Sequence, residues 1–413
     1  MQSAERRLML FFGLVYFAQG VAGGLSKQPL TYYFKSLGLT ADAVTALLAV
    51  AAIPWMIKPL YGLMTDFVPL FGYRRKSYLL LMAGLAAIGY LGLSRRLSAE
   101  LIVWALVVST LGIAAIDVVV DALMVEQGLK LGLIKHFQGQ QWTWLNLAAV
   151  ATALVGGWLS QAFTPAAAIR TAALIMLGAP AAILVATWIF VDEQPMPLEA
   201  AGRRRAARDL VTALRSPALW RVAGFLAFWS LIPNFGTPIY YHMVDHLQFD
   251  QYLIGQLVAI GSVGATIGAW VFRRYFAERF STAQLLTLSI TLSVMMALGY
   301  LFMKDAASAV LLYFSAGIVS MIALLTLFSL AASVCPPHAA GFTFAALMAV
   351  YSVTAQVSAM LGGHLYERVF DHQIAPLIYL AAAVTLAAFM WIPFLPAEPA
   401  SSSDLEAEKA YAA

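Results

Sequence analysis

Long apolar runs, separated by short polar stretches, fill the chain from residue 8 to residue 396. A helix rises about 1.5 Å per residue, so about 20 apolar residues cross the hydrocarbon core of a bilayer. Twelve runs reach that length, whereas the strands of a membrane barrel need only about 10 residues each. Their approximate limits are 8–35, 42–65, 76–95, 101–127, 136–162, 168–191, 217–246, 251–275, 281–303, 306–334, 339–369 and 374–396. The pattern predicts an all-α membrane protein with twelve transmembrane helices.

The longest polar connection divides these spans six and six. It predicts a six-helix bundle over 1–191, a cytoplasmic linker over 192–216, a second six-helix bundle over 217–396, and a disordered cytoplasmic tail over 397–413. The halves also resemble each other weakly, because Pro29 and Pro238 are each followed by a pair of tyrosines. Together these features favour two parallel repeats that face each other across a central path.

Composition and charge support a membrane protein and predict its orientation. The chain is 62% hydrophobic and 11% charged, whereas soluble domains carry about 25% charged residues. Seventeen of the 25 Lys and Arg residues fall on the side of the N-terminus, six on the other side and two within spans. This bias predicts that both termini are cytoplasmic, in a plasma membrane of the bacterial inner-membrane type. The net charge of +4 is spread over short loops, so no nucleic-acid partner is expected.

Three acidic residues lie in the apolar stretch GIAAIDVVVDALMVEQG (112–128). An ionised residue at the centre of a membrane helix costs about 2.5–3.5 kcal/mol, so such residues face protein or water. Asp117 and Asp121 are four residues apart and share one helix face. Counting from the inner helix ends predicts that Lys58 matches both aspartates in depth. A static polar network that only fixes helix packing is the alternative explanation.

Lys27 is the second lysine within a predicted span, and it is too near the outer side to reach the aspartates easily. It follows two glycines and precedes Pro29, which removes a helical N–H bond. Interrupted helices expose backbone and side chains to ligands in transporters. We therefore expect Lys27 to be available to a ligand. Snorkelling of its ammonium group to the outer interface is the alternative.

Two motifs carry a family resemblance. IKPLYGLMTDFVPLFGYRRKSY (57–78) and DVVVDALMVE (117–126) together resemble the folate–biopterin transporter family, a branch of the major facilitator superfamily. GGLSKQPLTYYFKSLGLT (23–40) is similar to that family's first helix, and GFTFAALMAVYSVTAQVSAMLGG (341–363) to its eleventh. The resemblance implies the major facilitator fold, in which two six-helix bundles rock about a central cavity.

The resemblance also implies an inner gate in the loop between the second and third helices. The loop residues that it assigns to this gate are Gly62, Asp66, Gly72, Arg74 and Arg75. This chain has extra residues, 67–71, between the acid and the second glycine. On physical grounds, Asp66 and Glu126 can form ion pairs with the two arginines that break when the gate opens.

These features predict a secondary active transporter for a pterin- or folate-like organic anion, working by alternating access. Burial favours the protonated form of a carboxylate and a nearby lysine favours the ionised form, so a moving Lys58 could switch proton uptake at Asp117 and Asp121. We therefore expect proton-coupled symport. The candidate substrate-binding residues are Lys27, Gln28, Tyr32, Tyr33, Gln141, Trp142, Asn146, Asn234, Tyr240, Tyr241 and Gln356.

Three alternatives stay open: a uniporter, a permease for another cargo such as a muropeptide, an amino acid or an exported drug, and a membrane assembly factor that transports nothing. No hydrolase or phosphate-binding motif occurs, so no catalytic residue, cofactor or enzyme activity is expected. His242 and His246 have metal-ligand spacing, but they fit the outer interface better, and no metal is predicted. The expected partners are the anion, protons and membrane lipids, and the expected state is a monomer.

Overall fold

The computed structural model describes residues 2–95, 98–131, 133–194, 216–276, 279–335 and 340–396. The regular elements within them are helices, which confirms the all-α prediction. The β-structure of these residues is limited to one isolated bridge, between Leu70 and Tyr73. The α-helices are α1 (Gln2–Gly24), α2 (Lys27–Ser36), α3 (Ala41–Met56), α4 (Lys58–Phe67), α5 (Lys76–Leu93), α6 (Ala99–Leu131), α7 (Ile134–Ala162), α8 (Pro165–Met176), α9 (Gly178–Phe190), α10 (Pro217–Ser230), α11 (Gly236–Asp245), α12 (Gln251–Val271), α13 (Thr282–Gly299), α14 (Ala306–Ser333), α15 (Ala340–His364) and α16 (Ile374–Ala387). Short π or 3₁₀ turns follow α12, α13, α15 and α16.

Eleven helical segments in the described part of the chain are long and apolar enough to cross a membrane. The remaining predicted span, 217–246, is divided into α10 and α11, which have 14 and 10 residues and are each too short to cross alone. Most of the predicted linker and the whole predicted tail lie outside the described residues. We call the side on which α1 begins the inner side.

Four predicted spans are broken helices that resume at a proline. The helices α2, α4, α9 and α11 each carry a proline within their first three residues, at Pro29, Pro59, Pro180 and Pro238. Proline lacks a backbone N–H, and only the first turn of a helix has no intrahelical partner for that group. The prolines therefore decide where each helix restarts, and two of these restarts place Lys27 and Lys58.

The helices approach one another closely where glycine replaces a side chain. In the contact between α7 and α12, a Cβ atom on Gly157 would lie 2.8 Å from Gly255 Cα. In the contact between α3 and α15, a Cβ atom on Gly363 would lie 2.5 Å from Thr45 Oγ1. Helices in lipid associate mainly by such close packing. Both contacts join the first half of the chain to the second near the outer side.

The buried apolar residues form two main clusters, one of which extends across both halves. One large cluster covers the first half and continues into the outer end of the second half, where it includes Ile239 and Ile254. A separate cluster around Leu219, Phe225 and Leu347 lies at the inner end of the second half. The two halves therefore share a continuous core near the outer side.

Candidate functional site

Two aspartates and a lysine meet inside the first half. Asp117 and Asp121 lie four residues apart on α6 and share one face of that helix. Lys58 is the first residue of α4, and its Nζ atom lies 2.6 Å from Asp117 Oδ2. The ring of Trp55 covers the same ammonium group, with 4.5 Å between Nζ and the ring centroid. The predicted contact between Lys58 and the aspartates is therefore present, and its 2.6 Å ion pair is with Asp117.

Asp121 is held by two uncharged donors. The hydroxyl of Tyr16 donates to Asp121 Oδ1 at 2.8 Å, and Gln141 Nε2 donates to the same oxygen at 3.0 Å. Tyr16 is fully buried, and a buried tyrosine hydroxyl usually finds a hydrogen-bond partner. Sequence reasoning missed Tyr16. The signal that could have found it is depth, since Tyr16 lies nine residues beyond Arg7, or about 14 Å into the membrane.

The two carboxylates therefore differ in what compensates their charge. With both ionised, Lys58, Asp117 and Asp121 carry a net charge of −1, and one proton makes the group neutral. A proton on Asp117 would remove the 2.6 Å ion pair and leave Lys58 with only the more distant carboxylate of Asp121, which is costly for a poorly hydrated ion. A proton on Asp121 leaves that ion pair intact. Asp121 is thus the carboxylate that can change charge at the lower electrostatic cost.

Lys27 is a cation for which the described residues provide no internal partner. It is the first residue of α2, where the unpaired N–H groups of the helix already favour an anion. Its side chain is exposed, and within the described part of the chain its Nζ atom makes no hydrogen bond or ion pair. A lysine at a helix N-terminus inside a membrane span can therefore attract an anionic group.

Polar contacts close the outer side between α2 of the first half and α11 and α12 of the second. Lys35 Nζ lies 2.6 Å from Asp245 Oδ2. Gln28 Nε2 donates to the backbone oxygen of Gln251 at 2.6 Å, and Tyr240 donates to the side-chain oxygen of Gln251 at 2.9 Å. Gln28, predicted to bind substrate, forms the contact between the halves. Tyr240, also predicted to bind substrate, contacts Gln251 within the second half.

A second group of outer contacts joins the start of α3 to the π turn that follows α15. The backbone N–H of Ala41 donates to Glu367 Oε2 at 3.2 Å, and Arg368 Nε lies 3.1 Å from Asp42 Oδ2. His372 lies 2.8 Å from the other oxygen of Glu367. The outer ends of the two halves are therefore held together by two separate groups of contacts.

At the inner side, the predicted gate residues come together within the first half. Arg75 Nη2 lies 2.6 Å from Glu126 Oε1, and Arg75 Nη1 donates to Thr65 at 2.9 Å. Arg74 approaches the same glutamate oxygen at 3.9 Å. The side chain of Asp66 lies outside the described part of the structure. These contacts therefore join α4, α6 and the loop residues just before α5.

Glu193 is a further member of this inner site that sequence reasoning placed in the linker. Its carboxylate accepts the backbone N–H groups of Arg74, Arg75 and Lys76 at 2.7–3.1 Å. Gly72, in the turn just before them, has a φ of +84°, which favours glycine. Glu193 thus binds the start of α5 from beyond the end of α9 and fixes the backbone that carries Arg75.

The remaining candidates do not form one compact set. Tyr241 donates to the backbone oxygen of Leu39 at 2.6 Å and joins the outer closure, and Asn234 caps Gly236 at the start of α11. The ring of Tyr33 packs against the core of the first half. Four other candidates are half-buried or exposed in their spans: Tyr32, Trp142, Asn146 and Gln356.

The remaining positions that the sequence singled out are Gly62 and the pair of histidines, His242 and His246. Gly62 lies on α4, where an added Cβ atom would make an ordinary 3.8 Å contact with Val118. The rings of His242 and His246 lie 5.0 Å apart. Among the residues that the structure describes, no group of three or more His, Cys, Asp or Glu side chains could hold a metal ion.

Comparison with known proteins places this arrangement among transporters. The model of the BT1 family matches residues 19–395. A folate–biopterin transporter of Synechocystis is 29% identical, over 95% of this chain and 82% of the relative. The probable folate–biopterin transporter 4 of Arabidopsis thaliana is 25% identical, over 85% of this chain and 87% of the relative.

Solved structures show the fold. A D-xylose–proton symporter superposes with a TM-score of 0.71 at 12% identity, covering 95% of this chain and 97% of its own. A nucleoside transporter superposes with a TM-score of 0.74 at 12% identity, covering 94% of this chain and 100% of its own. The fold is therefore that of these transporters, not of an enzyme.

Proposed function

The chain belongs to the BT1 family and is a membrane transporter, and from that premise we propose that it carries a pterin- or folate-like organic anion by proton-coupled symport. The unequal pairing of the two carboxylates on α6 carries the proposal. Asp117 is paired with Lys58 at 2.6 Å, whereas Asp121 is held by neutral donors. One proton on Asp121 neutralises the group without breaking the ion pair.

The outer closure supports an alternating-access cycle. The contacts between the halves described above lie near the outer side, so this conformation is closed to the outside. In the proposed cycle, the outer contacts break, Asp121 takes up a proton from the outside, and the anion binds at Lys27. The inner latch of Arg75 and Glu126 then rearranges, and the anion and the proton are released on the inner side.

The anionic cargo is inferred from Lys27 and from the names of the relatives. An exposed cation at the start of α2 suits a carboxylate or an ionised heterocycle. Tyr32 and Trp142 offer aromatic surface, while Asn146 and Gln356 offer amide donors and acceptors. A flat pterin ring would use both kinds of contact.

The finer architecture is also part of the proposal. We place α10 and α11 together as a twelfth span, which gives two six-helix bundles with both termini cytoplasmic in a plasma membrane. The protein is proposed to act as a monomer. Cysteine-accessibility mapping in intact cells tests the orientation: sites at 192 and 371 should react from opposite sides, and labelling of both from outside would contradict it.

Transport by purified protein in liposomes tests the coupling. An inward proton gradient should drive accumulation of labelled folate or biopterin. Asp121→Asn should abolish accumulation while leaving counterflow, the exchange of internal for external cargo, intact. Accumulation that persists in Asp121→Asn would rule out the proposed coupling and favour a uniporter.

A second comparison tests the cargo contact. Lys27→Ala should raise KM for anionic folate more than for a neutral pterin, and Lys27→Arg should retain the preference. Equal loss for both cargoes would contradict charge pairing at Lys27. If muropeptides or amino acids are carried and pterins are not, the cargo assignment is wrong while transport stands.

A further inference from the structure

The loop between α4 and α5 forms a tight hairpin with an exposed aromatic tip. Leu70 and Tyr73 exchange two backbone hydrogen bonds, each 3.0 Å long. Between them Phe71 has a φ of +53° and Gly72 a φ of +84°. This is the geometry of a two-residue hairpin loop with both central residues in the left-handed region. Leu70 and Phe71 of this hairpin are among the extra loop residues noted in the sequence.

Phe71 is poorly suited to its place in the backbone. The first position of such a turn favours Asn, Asp or Gly, because other side chains are strained at positive φ. The side chain of Phe71 is 91% exposed, so packing inside the protein does not compensate. An aromatic ring that is strained and unpacked here indicates a contact outside the chain.

The base of the hairpin is fixed to the first half. Tyr78 donates to the backbone oxygen of Val68 at 2.8 Å on one side of the turn. On the other side, Glu193 accepts the backbone N–H groups of Arg74, Arg75 and Lys76. The tip therefore projects from a rigid base.

The surroundings of the hairpin are typical of a membrane interface. It lies between the inner ends of two crossing segments, Ala41–Thr65 and Lys76–Leu93. At the adjoining end of α9, Trp188 is 73% exposed, and Lys76 Nζ lies 5.5 Å from the centroid of its ring. Tryptophan and lysine at the end of a span mark the level of the lipid headgroups. Exposed Arg6 and Arg7 lie in the second turn of α1 on the same side, and Arg7 donates to the backbone oxygen of Ile189 in the last turn of α9.

We propose that this hairpin binds the inner leaflet, with Phe71 and the half-exposed Val68 inserted at the boundary between headgroups and acyl chains. The partner is an anionic phospholipid surface, because the neighbouring side chains Lys76, Arg6 and Arg7 are basic. Apolar rings supply insertion and basic groups supply attraction to such a surface. The contact anchors the inner end of the first half while the second half moves.

Spin-label accessibility tests the depth of the tip. Cys335 is the only cysteine, so Cys335→Ser gives a background for single labels at Phe71→Cys and Asp371→Cys. Asp371 is a matched control, because it also has a positive φ, of +47°, and its side chain is 98% exposed. In liposomes of phosphatidylcholine and phosphatidylglycerol, the label at 71 should be more accessible to oxygen than to a water-soluble nickel complex. The label at 371 should show the reverse. Equal accessibility of both labels to the nickel complex would overturn the proposal. Loss of accessibility to both reagents at position 71 when the transporter changes conformation would also overturn it, because the label would then be buried by protein.

A substitution that relieves the turn separates strain from lipid binding. Phe71→Asn should keep or raise the unfolding temperature in detergent, because Asn suits the turn. The wild type should gain unfolding temperature as phosphatidylglycerol is added to nanodiscs, and Phe71→Asn should lose most of that gain. The same gain in both proteins would overturn the proposal.

Discussion

The two halves of the molecule differ most in the middle of the membrane. The first half places Lys58, Asp117 and Asp121 inside its spans. In the second half, the described Asp, Glu, Lys and Arg residues lie near helix ends. Its internal polar groups are uncharged, such as Ser289, whose hydroxyl bonds to Thr326 at 3.3 Å. The first half thus contains an ionisable site inside its spans, whereas the described polar groups inside the spans of the second half are uncharged.

The halves also differ in how an equivalent helix begins. In the first half, α5 is capped from a distance by the carboxylate of Glu193. In the second half, α13 is capped by its own residues, since Ser281 and Gln284 form a capping box. The cap on α5 therefore joins two segments of the chain, whereas the cap on α13 stays within one. If the inner latch acts as the proposed gate, the cap that holds Arg75 in place lies, like the charges, in the first half.

The largest expected effect comes from removing the buried cation. Lys58→Met leaves Asp117 without its partner, and we expect unfolding to become easier by about 2 kcal/mol and transport to be lost. The figure is below that of a fully buried pair, because 31% of the Lys58 side chain is exposed. Thermal unfolding and liposome uptake measure both changes.

The control for Lys58 lies in the second half. Ser289→Ala should cost only about 1 kcal/mol and keep transport. The double variant Lys58→Met with Asp117→Asn should recover stability but not coupling. If Ser289→Ala abolishes transport as completely as Lys58→Met, the contrast between the halves is wrong.

A smaller effect is expected at the two helix caps. Glu193→Gln weakens the bonds to three backbone N–H groups, at a cost of about 1–2 kcal/mol, and should slow transport because Arg75 is less well placed. Ser281→Ala should cost about 1 kcal/mol and leave the transport rate unchanged. Hydrogen exchange at residues 74–76, measured together with uptake, distinguishes them. Equal transport in both variants would show that the distant cap is only structural.

The smallest expected effect is a change in pH dependence. Tyr16→Phe removes one of the two donors to Asp121, which weakens the ionised form by about 1 kcal/mol. The pH at which uptake is half-maximal should then be higher than in the wild type, by less than about one unit. Tyr313→Phe is the matched control on α14, because that hydroxyl only approaches Met243 Sδ at 3.7 Å. A pH profile that is unchanged in Tyr16→Phe would contradict a role for this hydroxyl.

Several parts of this arrangement were accessible from sequence because they depend on position along one helix. The count of residues from the inner helix ends placed Lys58 at a depth from which it could reach either aspartate, since helical rise converts sequence into depth, and the structure pairs it with Asp117. The same count could not choose between the two aspartates. That choice depends on how α4 and α6 are rotated against each other, which single-helix periodicity does not contain.

Sequence by itself determined the helical membrane class, most span limits and the interruption before Pro29, because hydrophobic length, backbone chemistry and helical rise are local properties. Only the tertiary structure decided that Tyr16 and Gln141 bind Asp121, that Glu193 binds the start of α5, and that Gln28 binds Gln251 across the outer side. These contacts join residues that are distant in the chain, and their partners are set by how neighbouring helices rotate and pack.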